Sequence, residues 1–244
     1  MAGVFFYALD ILNIMAHNYI CKFLYKESKQ MNINNLKDNL LLYAITDRSW
    51  LNGDTLDSQV ENALRGGITM LQLREKKLER EEILKESVRM RELCHRYDVP
   101  LIINDDVELA LEADADGVHV GQSDMAAGLA RKRLGKGKIL GVSARTVELA
   151  LEAEKNGADY LGVGAVFGTN TKNDAKKLDH SVLENICDSV KIPVVAIGGI
   201  TADNMHELKG RGMNGFAVVS AVFAQKDIEN AVIKLKTIAE DTIR

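Results

Sequence analysis

One stretch decides the fold because it occurs twice in related form, first as Val107-Glu-Leu-Ala-Leu-Glu-Ala-Asp-Ala-Asp-Gly-Val-His-Val-Gly121 and again as Val147-Glu-Leu-Ala-Leu-Glu-Ala-Glu-Lys-Asn-Gly-Ala-Asp-Tyr-Leu-Gly-Val-Gly164. Each copy has the pattern of a helix that ends in a turn and leads into a short apolar strand. A duplicated helix–strand unit in the sequence indicates a fold made of (β/α) repeats. The two copies therefore predict an α/β fold built by repetition.

Short apolar runs rich in Val, Ile and Leu alternate with amphipathic stretches on both sides of this repeat. The runs are continuous rather than alternating, which predicts strands buried on both faces, as in a parallel sheet with helical crossovers. The predicted strands are 41–46, 70–73, 101–104, 117–120, 139–142, 160–163, 194–197 and 215–219, and predicted helices include 81–97, 125–134 and 147–155. Eight such units in roughly 200 residues predict a (β/α)8 TIM barrel. The alternative is a doubly wound open sheet, whose usual G-x-G-x-x-G motif is absent from the sequence.

The composition is that of a globular protein with a sizeable core. Hydrophobic residues make up 46% and charged residues 27% of the 244 residues, and the net charge is −4. This balance argues against a non-specific nucleic-acid binder, which usually carries a basic excess. Cys21, Cys94 and Cys187 are odd in number and far apart, so a disulfide framework and a zinc knuckle both fit poorly, and a reducing, cytoplasmic location is expected.

Residues 1–40 are predicted to form a helical amino-terminal extension to a catalytic barrel domain at residues 41–244. Asp10, Asn13 and His17 interrupt the early apolar run, so it falls short of the about 20 apolar residues that a membrane span needs. No secretory signal pattern surrounds the run, and we expect no stable membrane insertion. The polar positions fall at helical spacing, which predicts an amphipathic helix. That helix would dock on the barrel, on a second subunit or on a membrane surface; alternatively Met31 is the natural start.

Polar residues at the predicted strand ends mark the place where a (β/α)8 barrel carries its chemistry. The second strand ends in Gln72-Leu-Arg-Glu-Lys76. Strand alternation puts Gln72, Arg74 and Lys76 on one side. Arg offers a planar fork to phosphate oxygens and Lys a mobile point charge. The segment therefore predicts an anion site, with a solvated charged patch as the alternative.

Two carboxylates follow adjacent predicted strands. Asp105 lies in Asn104-Asp-Asp106, and Asp124 ends Gly121-Gln-Ser-Asp124. Mg²⁺ usually takes one or two carboxylates together with substrate phosphates and water, so Asp105 and Asp124 are the candidate metal ligands. Helix capping is the competing interpretation for an Asp at such a position, and Asp106 is predicted to cap the helix that begins at Val107.

The remaining strand ends predict anion-binding turns. Ser143 follows the fifth predicted strand. The sixth strand leads into a polar loop at 168–174, of the kind that can close over an anion once the anion is bound. Glycines at 198–199 and backbone N–H groups at 219–221 match the usual phosphate site of such barrels. His119 lies within a strand and is interpreted as a core or barrel-lining residue rather than a base.

Five motifs in one order then resemble the thiamine phosphate synthase family over about residues 40–240. They are Gln72-Leu-Arg-Glu-Lys76, Asn104-Asp-Asp106, His119-Val-Gly-Gln-Ser-Asp124, Thr169-Asn-Thr-Lys172 and Ile197-Gly-Gly-Ile-Thr201. The resemblance implies condensation of hydroxymethylpyrimidine diphosphate with thiazole phosphate, giving thiamine phosphate and pyrophosphate. The turn at 165–168 departs from the family, which often carries prolines there.

The resemblance also implies a set of site residues and Mg²⁺ as the cofactor. Its substrate-binding positions are Gln72, Leu73, Arg74, Glu75, Lys76, Asn104, Ser143, Thr169, Asn170, Thr171, Lys172, Gly199, Val219 and Ser220. Among these, the catalytic positions are Arg74, Lys76, Lys172 and Ser143, while Asp105 and Asp124 hold Mg²⁺. Ser143 would contact the pyrimidine. The implied partners are the two small-molecule substrates, with no nucleic acid.

Two other functions stay open at this point. A thiazole tautomerase resembles this barrel but binds no diphosphate, and the presence of Lys76, Asp124 and Lys172 weighs against it. A non-catalytic barrel that senses thiazole phosphate belongs to another class, and it would bind that ligand without turnover. Monomer and homo-oligomer both remain compatible with the sequence.

Overall fold

Eight parallel strands pair in chain order and close into a barrel, with the last strand returning to the first. They are β1 (Leu42–Ile45), β2 (Met70–Leu73), β3 (Leu101–Asn104), β4 (Gly117–Val120), β5 (Ile139–Ala144), β6 (Tyr160–Gly164), β7 (Val194–Ile197) and β8 (Gly215–Val218). The structure is a computed structural model that describes residues 35–168 and 177–244. It confirms the predicted (β/α)8 TIM barrel.

One helix precedes the first strand, and the others lie between the strands or after the last of them. They are α1 (Leu36–Asn39), α2 (Leu56–Gly66), α3 (Arg80–His95), α4 (Val107–Glu112), α5 (Ala127–Leu134), α6 (Val147–Lys155), α7 (His180–Ser189), α8 (Ser220–Phe223) and α9 (Ile228–Ile243). Short 3-10 helices occupy Arg48–Trp50 and Met205–Leu208. The second of these stands in the β7–β8 connection, where most other connections carry an α-helix.

Side-chain caps explain where several helices begin. The capping residues accept a hydrogen bond from a backbone N–H in the first turn, and they are Thr55, Asp106, Thr146, Asp179 and Asp227. Such caps satisfy donors that have no partner within the helix. The predicted cap at Asp106 is confirmed, since its Oδ1 accepts the N–H of Leu109 at 2.8 Å.

The predicted strand bounds agree closely with the structure. β2, β3, β4 and β7 have the predicted limits. β5 and β6 run beyond their apolar runs because parallel pairing continues, with Ala144 opposite Val163 and Gly164 opposite Ile197. Apolarity alone could not predict this extension, since backbone hydrogen bonding does not require an apolar side chain.

Alternation along each strand divides the buried side chains between two cores. Leu71 and Leu73 face the helices in the outer core. The inner cluster fills the barrel and consists of Leu36, Leu40, Tyr43, Ile45, Met70, Ile102, Ile139, Tyr160, Val195 and Ala217. Gly141 leaves room for two rings inside, because a Cβ there would overlap the ring of Tyr160 and come within 2.5 Å of His119 Nδ1.

Helix α1 belongs to the barrel and closes its amino-terminal end. Residues 35–244 form one compact unit, and Leu36 and Leu40 pack into the inner cluster. The unit therefore begins at Asn35 rather than at the predicted residue 41, because these two leucines bury their side chains against the barrel interior. The helix predicted for the remainder of the extension falls on residues 1–34, outside the described residues.

Four polar residues at this end join neighbouring strands in the same way, and we call them strand clamps. Each clamp precedes an even-numbered strand, and its backbone N–H donates to a carbonyl of the odd-numbered strand before it. Its side-chain oxygen accepts the N–H of that same residue. The pairs are Thr69 with Leu42 at 2.9 Å, Asp116 with Leu101 at 2.8 Å, Asp159 with Leu140 at 2.7 Å and Asn214 with Val194 at 3.0 Å.

Loss of one clamp should be visible as a loss of stability. Asp159→Ala is expected to lower the free energy of unfolding by about 2–3 kcal/mol, since it leaves the buried N–H of Leu140 without an acceptor and removes the ion-pair partner of Arg131. Asp159→Asn keeps an acceptor and should recover part of the loss. Urea denaturation measures both variants, and an alanine variant within about 0.5 kcal/mol of the parent would contradict the clamp.

Candidate active site

The carboxyl ends of the strands meet at one end of the barrel, here called the mouth. Gln72 of β2 is buried, and its Nε2 donates to the hydroxyl of Tyr43 at 2.6 Å. Arg74 follows β2, where its backbone N–H donates to Thr46 Oγ1 at 2.9 Å. This bond fixes the first residue after the strand. The inward position of Gln72 agrees with strand alternation, and the grouping of Gln72, Arg74 and Lys76 on one side stays a prediction.

The two cations of this segment are free to meet an anion. Within residues 35–168 and 177–244, no carboxylate pairs with the guanidinium of Arg74 or the ammonium of Lys76. Arg74 is half-buried and Lys76 is exposed. Leu73, by contrast, packs its side chain into the outer core, so only its backbone faces the mouth.

Glu75 has its carboxylate held away from these cations. Arg48 Nε donates to Glu75 Oε1 at 2.6 Å, and Arg48 Nη2 donates to both oxygens of Glu86 at 2.6 and 2.5 Å. The side chains of Glu75 and Glu86 are 2% and 4% exposed. One guanidinium thus ties the 74–76 segment to α3, and what Glu75 offers to a substrate is its backbone. Arg48 and Glu86 were not predicted as site residues, because nothing in their local sequence pairs them with Glu75.

Burial raises the pKa of the Glu75 carboxyl, the charge of Glu86 adds to the rise and Arg48 opposes it. A carboxyl whose pKa is raised on folding favours the folded state when protonated, and this contribution is lost as the pH rises through the raised pKa. Arg48 therefore stabilises the fold most at a pH above the raised pKa of Glu75, where that carboxylate is ionised.

Removal of Arg48 should expose this dependence. Arg48→Met is expected to cost about 2–3 kcal/mol of unfolding free energy at neutral pH, below the usual figure for a fully buried pair because Arg48 is partly exposed. The cost should shrink as the pH falls toward the pKa of Glu75. Arg65→Met is the control: its partner Glu61 is 3.7 Å away and both are exposed, so its cost should stay under about 1 kcal/mol. Urea denaturation measures the loss of unfolding free energy in each variant. Equal losses in the two variants would contradict the role of Arg48.

The candidate metal ligands follow β3 and β4, which are neighbours in the barrel. Asn104 Nδ2 donates to Asp105 Oδ2 at 2.6 Å, and the N–H of Asp105 donates to the carbonyl of His119 at 2.8 Å. Asp105 has a φ of +65°, a left-handed conformation that Asp and Asn adopt more readily than most residues. Asp124 Oδ2 accepts the N–H of Gly121 at 2.7 Å.

A run of hydrogen-bonded side chains crosses the barrel below the mouth. Tyr43 and Tyr160 share a hydrogen bond of 3.0 Å, and Tyr160 reaches His119 Nδ1 at 3.0 Å. His119 Nε2 in turn lies 2.9 Å from Ser143 Oγ. The interpretation of His119 as a barrel-lining residue is confirmed. Tyr43 and Tyr160 were not predicted as site residues; their inward positions in the strand alternation are the signal that could have found them.

The β5 end is fixed from its neighbour. Gln122 Nε2 donates to the carbonyl oxygen of Ser143 at 2.6 Å, which joins the loop after β4 to the predicted pyrimidine contact. The side chain of Ser143 is half-buried among inward-facing residues. Its hydroxyl therefore stands at the inner wall of the mouth.

The turn after β7 depends on two glycines and one asparagine. Gly198 and Gly199 have φ values of +99° and +69°, and a Cβ on Gly199 would overlap the carbonyl oxygen of Gly168. Asn204 shapes the same turn: its Oδ1 accepts the N–H of Thr201 at 2.8 Å and its Nδ2 donates to the Gly199 carbonyl at 2.9 Å. Asn204 was not predicted, since an Asn beyond a glycine turn has no distinctive pattern.

The other predicted anion contacts fall in two segments of the sequence. Val219 and Ser220 directly follow β8, at the start of α8. Thr169, Asn170, Thr171 and Lys172 lie outside the described residues, and their predicted roles stay predictions. The close approach of Gly168 to Gly199 brings the beginning of that loop to the β7 turn.

Known proteins resemble this chain over most of its length. A family model described as thiamine monophosphate synthase matches residues 42–222. The chain belongs to the thiamine monophosphate synthase family. It is 49% identical to the thiamine-phosphate synthase of Ruminiclostridium cellulolyticum over 199 residues, covering 82% of this chain and 95% of that protein. With the same protein of Clostridium beijerinckii it is 49% identical over 195 residues, covering 80% and 93%.

A solved structure agrees with the sequence relatives. Thiamine phosphate pyrophosphorylase from Pyrococcus furiosus superposes with a TM-score of 0.80 at 42% identity, covering 86% of this chain and all of that one. Membership in the thiamine monophosphate synthase family makes the chain a transferase of the thiamine pathway that acts on small molecules. Among the helices of the described residues, none has the length and apolarity to cross a membrane.

Proposed function

We propose that this thiamine phosphate synthase condenses 4-amino-2-methyl-5-(diphosphooxymethyl)pyrimidine with thiazole phosphate, giving thiamine phosphate and pyrophosphate. The observation that carries the proposal is the pair of cations after β2: Arg74 and Lys76 stand at the mouth without a carboxylate partner among the described residues. A diphosphate is the anion that two such groups suit best, because the guanidinium binds two oxygens at once and the ammonium a third.

The substrates are assigned to opposite sides of the mouth. Gln72, Arg74, Lys76, Asn104 and Lys172 would hold the diphosphate, and Ser143 would contact the pyrimidine. Thr169, Thr171, Gly199, Val219 and Ser220 would hold the thiazole phosphate, with Asn170 between the two threonines. The backbone N–H groups of the β7 and β8 turns support this assignment, since such turns are the usual phosphate site of the fold.

We further propose that Asp105 and Asp124 bind Mg²⁺. Their oxygens are hard donors at neighbouring strand ends, and within residues 35–168 and 177–244 no group of three or more His, Cys, Asp and Glu side chains is placed to hold a metal ion. A site with two carboxylates fits Mg²⁺, which leaves its other positions to phosphate oxygens and water. When bound, the ion would neutralise charge on the diphosphate.

The protein residues act on charge and position in the proposed reaction. The C–O bond between the pyrimidine methylene and the diphosphate breaks, and electron release from the ring amino group stabilises the methylene cation. The thiazole nitrogen then forms the new C–N bond, while Arg74, Lys76 and Lys172 stabilise the charge that develops on the departing oxygen. No protein nucleophile is required.

Pyrophosphate release tests the proposal directly. We expect release from the full chain only when both substrates and Mg²⁺ are present, and we expect chelation of the metal to stop it. A chain that starts at Met31 should behave alike if residues 1–30 have no role in the chemistry. Thiazole phosphate binding with pyrophosphate release from neither chain would refute the synthase reaction and favour the tautomerase or the sensing barrel.

A cytoplasmic location completes the proposal. The cysteines that the structure describes, Cys94 and Cys187, are free thiols, which supports a reducing compartment. Burial raises the pKa of Cys187 to about 12 and that of Cys94 further still, so neither thiol is a nucleophile at neutral pH. A homo-oligomer is compatible with this function.

A further inference from the structure

The hydrogen bonds inside the barrel form one continuous relay from β2 to β5. It runs from Gln72 through Tyr43, Tyr160 and His119 to Ser143, with separations of 2.6, 3.0, 3.0 and 2.9 Å. Its two ends are proposed substrate contacts. Its three inner members have no assigned role, and Tyr43 and Tyr160 are almost fully buried.

The relay has a direction because each hydroxyl has a single proton to donate. Gln72 Nε2 donates to Tyr43, so the Tyr43 proton is available for Tyr160. Tyr160 then donates to His119 Nδ1, which must be unprotonated to accept. The proton of a neutral imidazole therefore lies on Nε2, where it is donated to Ser143 Oγ.

Both phenols keep their protons throughout. Burial raises the pKa of Tyr43 and of Tyr160 above the ordinary value for a phenol. Each ring also packs against the next, since the Tyr43 and Tyr160 centroids lie 6.0 Å apart and those of Tyr160 and His119 5.5 Å apart. The members are thus held in place by packing as well as by hydrogen bonds.

We infer that Tyr43, Tyr160 and His119 are positioning residues that make Ser143 a hydrogen-bond donor to the pyrimidine ring. With its oxygen occupied by the His119 Nε2 proton, Ser143 turns its own O–H toward the mouth. An aminopyrimidine ring nitrogen carries a lone pair and no hydrogen, so it accepts from that hydroxyl. The inference rests on the proposed contact between Ser143 and the pyrimidine, and it adds the direction of the bond and its cause.

The reversed relay is the alternative, and it is physically distinct. If the carbonyl oxygen of Gln72 faced Tyr43, every bond would point the other way and His119 would carry its proton on Nδ1. Ser143 would then donate to His119 and could only accept from the substrate. The tautomer of His119 therefore reports the direction.

Heteronuclear NMR of the labelled full-length protein, without substrates, measures that tautomer. The chain has five histidines, and the His119 signals are those lost in His119→Gln. At a pH where the ring is neutral, we expect the proton on Nε2. A proton on Nδ1, or an even mixture of the two forms, would overturn the inference while leaving pyrophosphate release, and hence the proposed function, untouched.

Gln72→Glu tests the coupling along the relay. Burial raises the pKa of a carboxyl at this position, so the spectra are recorded at a pH above it. The ionised carboxylate only accepts, so Tyr43 must donate to it and the His119 proton should move to Nδ1. An Nε2 proton retained in this variant would show that Gln72 does not set the direction, contrary to the inference.

Tyr160→Phe tests the effect on activity, since Tyr160 contacts Tyr43 and His119 but none of the proposed diphosphate contacts. We expect kcat/KM for the pyrimidine diphosphate to fall about tenfold, the loss of one directed hydrogen bond to the ring, and the Nε2 preference to weaken. Inhibition by inorganic pyrophosphate should not change, since it has no ring. If kcat/KM for the pyrimidine diphosphate and inhibition by pyrophosphate weakened by the same factor, the role would be generally structural, which would contradict the positioning role.

Discussion

Arg74→Ala is expected to lower kcat by a factor on the order of 10²–10³, the usual effect of removing one group that stabilises transition-state charge. Arg74 is held by the bond from its N–H to Thr46, and no carboxylate among the described residues competes for its guanidinium. The charge on the departing diphosphate would lose its bidentate partner. Pyrophosphate release under saturating substrates measures the effect.

Two further variants separate this role from a general effect of charge. Arg74→Lys keeps the charge but not the planar fork, so it should recover only part of the rate. Arg96→Ala removes an exposed arginine next to the end of α3, and it should leave kcat unchanged. Near-parental turnover by a folded Arg74→Ala enzyme would refute the assignment. Lys172→Ala is expected to match Arg74→Ala in size, by the family resemblance.

Gly199→Ala is expected to lower kcat/KM for thiazole phosphate on the order of 10²-fold, because a displacement of about 1 Å can cost that much. The new Cβ would overlap the carbonyl oxygen of Gly168. Since that contact is backbone rather than a flexible side chain, the turn after β7 and the start of the loop after β6 must move apart. Steady-state kinetics with varied thiazole phosphate measure the change.

Gly210→Ala is the matched control for this variant. Gly210 has a φ of +77°, close to the +69° of Gly199, but a Cβ there meets nothing within 4 Å. The backbone strain is therefore similar and the collision is absent. If both variants lost the same activity, strain alone would account for the effect and the phosphate role of the Gly199 turn would fail.

Much of the barrel could be predicted because its strands are buried on both faces. Runs such as Val194–Ile197 are apolar at every position and end at polar or glycine residues, so their limits are visible. The site could be located for a related reason: in this fold the residues at and just after the carboxyl ends of the strands converge, and Gln72, Asp105 and Ser143 stand at such positions.

The rest depends on contacts between residues far apart in the chain. Tyr43 and Tyr160 are separated by 117 positions, and an inward tyrosine has the same local pattern as an ordinary core residue. Arg48 is likewise paired with Glu75 and Glu86 only by folding. Side-chain partners of this kind depend on the closed barrel, which brings non-adjacent strands within reach.

The strand clamps have a consequence for how such a scaffold diverges. They lie at the end opposite the mouth, and no clamp residue is a candidate site residue. The clamps and the candidate site residues thus lie at opposite ends of the barrel. Substitutions that change specificity at the mouth leave the strand clamps intact. New activities can therefore evolve on this scaffold without substitutions that first restore the clamps.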